Sequence, residues 1–132
     1  MKHFNAFTAI TLFFVSSMMF AQPAATKNWA ELNNFHEVMS RVYHPTEEGN
    51  LLPIKTWSET LMQKAEQLTL QPIPTEFNNA KIQESITRLQ AKTKEVHKLV
   101  TDKASDAAIT KVLTQAHDNF HEIVGLCSGK SK

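Results

Sequence analysis

Four stretches of the chain place apolar side chains three and four residues apart, the spacing of one face of an α-helix. In the first, Trp29, Leu32, His36, Met39 and Tyr43 recur at that interval, with Phe35 and Val42 widening the stripe. This predicts a helix from near Asn28 to His44, because Pro45 disfavours helical backbone in the residue before it. A loop, Pro45 to Asn50, follows. The second helix is expected from about Leu52, with Pro53 in a first turn that does not need its missing N–H. Its inner face is read as Ile54, Trp57, Leu61, Ala65 and Leu68, and Pro72-Ile73-Pro74 ends it. The third helix, capped by Thr75, turns Ile82, Ile86, Leu89, Val96 and Val100 inward, with Thr93 as a polar gap. Asp102 or Ser105 caps the fourth, which runs to about Cys127 on a stripe of Ile109, Val112, Leu113, Ala116, Phe120, Ile123 and Cys127.

Four amphipathic helices on short links predict an all-α fold, an up-down-up-down antiparallel four-helix bundle over residues 28–127. The first and last helices are then neighbours running in opposite directions. Glycine, with three in 132 residues, is too scarce for the turns of a sheet protein.

The segment ahead of the bundle reads as a cleaved signal peptide, residues 1–21. Lys2 and His3 form its polar head, and an apolar run of about 15 residues follows, short of the roughly 20 that span a bilayer. Ala21 is the expected last residue of the signal and Gln22 the new amino terminus; a retained membrane anchor is the alternative. The mature chain is then a single domain of about 110 residues, periplasmic or secreted, without a membrane anchor. Without Lys2 its basic side chains match the 13 acidic ones, and no basic patch invites nucleic acid. Cys127 is the one cysteine, so an intrachain disulfide is excluded. It reads as a small buried apolar residue, a metal ligand, or the link of a homodimer.

The candidate chemistry is imidazole. His117 and His121 stand four apart, one turn above each other, a spacing that grips one metal ion from one helix face. His36 lies about midway along the first helix, and antiparallel packing brings it to a similar level. The expectation is a metal site between helices one and four, built from His36, His117 and His121, with His44 able to join if its loop folds back. Zinc, copper and nickel all accept imidazole, and Met39 nearby would favour copper. Glu37 and Glu122 are candidates to support the ligands from behind. A second polar group, His44, Glu47, Glu48 and His97, is expected at the opposite end, either as a solvated loop or as another site. No Ser-His-Asp order, phosphate loop, HExxH or Glu-x-x-His pair is present, so no enzymatic centre is expected.

Phe120-His121, close to the chain end, resembles the last helix of exported four-helix bundles of the cytochrome c-prime and soluble b-type cytochrome kind. The segments Phe35 to Met39 and Phe120 to Val124, FHEVM and FHEIV, are also similar to those of small exported bundles. The resemblance implies the bundle fold. It also implies haem b as an alternative cofactor, with His121 at the position of the b-type haem histidine and His36 as the nearest match to the second ligand. The chain departs from the b-type pattern in lacking an early methionine in the first helix, and it lacks the CxxCH haem attachment of the c-prime kind. The expected function is thus periplasmic binding of a transition metal, for transport, buffering or sensing. The alternatives are a haem electron carrier and a ligand-free interaction or chaperone-like bundle.

Overall fold

The computed structural model describes residues 28–129; the expected signal peptide lies outside them. Four helices follow one another: α1 (Ala30–Glu47), α2 (Leu52–Leu70), α3 (Ala80–Thr101) and α4 (Asp106–Cys127). A 3₁₀ turn, Thr75–Phe77, interrupts the link between α2 and α3. Each helix packs on the next, and α4 closes the ring against α1. The short links make successive helices antiparallel, so the expected all-α four-helix bundle is the fold. The α1–α4 seam is the loosest of the four.

The interior is made where the apolar stripes meet. Leu32, Phe35, Met39 and Val42 of α1 and Leu113, Ala116 and Phe120 of α4 all lie in the core, each 0–1% exposed. Burying a large apolar side chain stabilises the fold by about 1.5–3 kcal/mol. Trp29 precedes α1 and is also buried, because Phe77 of the 3₁₀ turn stacks on it at 5.8 Å between ring centres. Met39 lies wholly inside, so its thioether is not offered to the seam surface.

Local chemistry explains where helices begin and end. Asn79 caps α3 by accepting from the Ile82 N–H, and Ser105 caps α4 by accepting from the Ala108 N–H. Thr75, expected to cap α3, instead opens the 3₁₀ turn. The expected end of α1 at His44 is also corrected: the helix runs through Pro45 to Glu47. A Schellman closure holds that last turn, with Asn50 N–H donating to Pro45 O at 2.9 Å and Gly49 N–H to Thr46 O at 3.0 Å. Gly49 takes the required left-handed conformation, φ +84°. The buried Thr46 adds a hydroxyl bond to Val42 O. These closures outweigh the steric preference against helix before proline, and they keep His44 on the helix.

Trp57 is a further correction. Expected on the inner face of α2, it is 43% exposed, and its neighbour Ser58 is buried instead. The stripe Ile54, Ser58, Leu61, Ala65, Leu68 sets the buried direction, and Trp57 stands about 100° away from Ser58 around the helix.

Candidate functional site

The α1–α4 seam is filled with rings where two close-packed helices would interlock aliphatic side chains. Antiparallel register pairs early α1 with late α4. Phe35 meets Phe120 with ring centres 5.6 Å apart, and His36 stacks on Phe120 at 4.9 Å and 18°. One and two turns toward the other end, Tyr43 lies flat on His117 at 3.8 Å and 15°. Phe120 is buried, His36 and His117 are half-buried, and His121 is exposed. His36 and His117 therefore stand at the boundary between core and water, and His121 on its water side.

His117 and His121 meet directly. Their Nε2 atoms are 3.1 Å apart and their rings are set edge to face. One nitrogen donates its hydrogen and the other accepts, so the pair holds one proton between two nitrogens that point at one spot. Burial lowers the His117 pKa, with repulsion from His121 adding to it; Asp118 and Glu47 oppose the shift. Burial also lowers the pKa of His36, and His121 and His44 contribute repulsion. Both effects favour the neutral imidazole, the form that donates a lone pair to a metal.

His44, held on α1 by the extended helix, is exposed, and its Nδ1 lies 3.4 Å from Glu47 Oε2. Its charge reaches both His36 and His117. The expected grouping of His44 with His97 does not form. His97 Nδ1 pairs with the Ser58 hydroxyl at 3.0 Å across the α2–α3 seam. Glu37 and Glu122, the candidates for support behind the ligands, are taken by arginines: Arg41 donates to Glu37 at 2.7 Å and Arg88 to Glu122 at 2.6 Å. At the far end of α4, burial and the nearby Glu76 push the Cys127 thiol up to about 11, so it stays a protonated, half-buried packing group.

Three of the sequence-predicted residues, His36, His117 and His121, are thus brought to one seam, with His44 at its margin. Among the described residues, however, no three His, Cys, Asp or Glu side chains are close enough as they stand to hold a metal ion. Tyr43 is the participant that periodicity passed over as core. Its place seven residues after His36 puts it on the same face of α1, and antiparallel register does the rest. Its hydroxyl reaches Thr114 and Glu47, and burial raises its pKa.

The fold and seam define a four-helix bundle with an imidazole-lined joint between its first and last helices. No protein-family model, curated protein or solved structure matches the chain.

Proposed function

We propose that this bundle binds a transition-metal ion through His117 and His121, in a role of metal handling outside the cytoplasm. The observation that carries the reading is the 3.1 Å separation of the two Nε2 atoms. With metal–nitrogen bonds of about 2.0–2.1 Å, that separation subtends about 100° at a shared ion, between the octahedral and tetrahedral angles. Replacing the shared proton by an ion therefore needs only ring rotations that turn both lone pairs onto it. Tyr43, stacked on His117, limits the freedom lost when the ligand is held. Imidazole suits Zn²⁺, Cu²⁺ and Ni²⁺, and with Met39 buried nothing at the seam adds a preference for Cu⁺. The haem alternative draws less support, because His121 faces outward and Phe35, Phe120 and Trp29 occupy the interior.

The test is elemental analysis and an absorption spectrum of the protein after incubation with Zn²⁺, Ni²⁺ or Cu²⁺ and removal of unbound ion. One tightly held equivalent is expected in the native protein and none in His117→Ala/His121→Ala. Equal uptake by both proteins, or none by either, would reject the site. A Soret band in protein isolated without added metal would move the function to a haem carrier.

A further inference from the structure

Two helices of this bundle carry the same short pattern in opposite directions. Phe35-His36-Glu37 lies on α1 and Phe120-His121-Glu122 on α4. The antiparallel register sets the two copies against each other, as the Phe35–Phe120 ring contact at 5.6 Å records. The two glutamates end alike, each held by an arginine at the surface. The two histidines do not. His121 turns along its own helix to His117, while His36 lies across the seam on the face of Phe120, the residue next to His121. Among the described residues neither ring nitrogen of His36 has a hydrogen-bond partner, although the side chain is half-buried. Its stacking partner, Phe120, is the residue next to His121 of the chelating pair.

Resting on the metal-binding reading, we infer that His36 supplies a third ligand, so that the bound ion is a clasp tying the first helix of the bundle to the last. His36 reaches the ion by leaving the face of Phe120 through side-chain rotation alone, since both helices already hold the two patterns at one level. The apolar floor of Phe35 and Phe120 stays in place beneath. Three nitrogens leave a fourth position for water or a carboxylate, as in open three-histidine zinc sites. The clasp closes the loosest joint of the ring, where the helices have the least direct packing to hold them. Metal occupancy thereby becomes a statement about how firmly α1 is held.

Hydrogen exchange of the native protein with and without Zn²⁺ separates the clasp from a chelate confined to α4. In the clasp, Zn²⁺ slows exchange of amides in both α1 and α4. His36→Phe keeps an aromatic ring on Phe120 while removing the nitrogens. It is expected to lose the added protection of α1 and to bind Zn²⁺ at least the roughly 10- to 100-fold more weakly that loss of even a ligand's supporting partner costs. One bound equivalent with protection of α4 alone, and unchanged affinity in His36→Phe, overturns the clasp and leaves the His117–His121 chelate standing. No Zn²⁺ bound by the native protein overturns both.

Discussion

Two seams of the bundle hold histidines, and they use them differently. In the α2–α3 seam, His97 meets the Ser58 hydroxyl at 3.0 Å, and Gln90 crosses the same joint to Ala65 O and Thr69 Oγ1 at 3.1 and 3.0 Å. His97 and Gln90 find partners on the opposite helix, so the joint is held by hydrogen bonds as well as by packing. In the α1–α4 seam the crossings are mainly ring faces, His36 on Phe120 and Tyr43 on His117, with the Tyr43 hydroxyl reaching Thr114, while the nitrogens of His117 and His121 turn to each other along one helix. A histidine with a hydroxyl across the joint is consumed by the fold. Two histidines sharing a proton at the edge of the core are available to a ligand.

The comparison breaks most heavily at Phe120. Phe120→Ala removes the ring on which both the Phe35 contact and the His36 stack depend, and should lower stability by about 3–5 kcal/mol in chemical denaturation. A loss below about 1 kcal/mol would show that the seam re-forms without it and that the rings are not what holds α1 to α4. A smaller effect is expected at His97. His97→Ala leaves the buried Ser58 hydroxyl without its cross-helix partner, at a cost of about 1–3 kcal/mol, yet metal uptake should match the native protein. Reduced uptake in this variant would erase the distinction between the two seams.

Acid supplies the mildest test. In the metal-free protein, burial holds His36 and His117 below their ordinary value of 6.5. The unfolded chain then binds more protons than the folded one as pH falls below that value, so these groups cost stability through the window between 6.5 and their lower folded pKa values. Above the window their contribution is flat. The urea midpoint, followed from about pH 8 to pH 5, should fall on the acid side, and less steeply in His36→Phe. An identical slope in the variant would remove His36 from the buried titrating set.

Much of the fold is legible in the sequence. The repeats Leu32-Phe35-Met39-Val42, Ile82-Ile86-Leu89-Val96 and Ile109-Leu113-Ala116-Phe120 state their own faces, because burial follows the 3.6-residue period. Errors fell where two local rules competed. Pro45 argues for a stop at His44, but a Schellman closure at Gly49 and a buried Thr46 carry α1 three residues further. Thr75 and Asn79 are both good caps; Thr75 opens the 3₁₀ turn whose Phe77 stacks on Trp29, and Asn79 caps α3. Trp57 fits the three-and-four spacing after Ile54 as well as Ser58 does, but the buried stripe runs through Ser58 and leaves Trp57 about 100° away. Within the site, the spacing of His117 and His121 and the level of His36 were readable. The stack of Tyr43 on His117 and the partner of His97 were not, since both lie across a joint between helices.

What the sequence determined by itself was the number of helices, their order and, Trp57 apart, the face each one buries. Those follow from hydrogen bonds and hydrophobic periodicity within a single segment, which need no knowledge of the neighbour. Only the tertiary structure decided which side chains meet across a seam. That depends on the rotation of each helix about its axis, on the distance between axes and on rotamers, which close packing settles for all the helices together. A turn of one residue, about 100°, separates a histidine inside the joint from one in water. His97 was therefore absorbed by Ser58 and His36 came to lie on Phe120 for reasons that no single stretch of the chain contains.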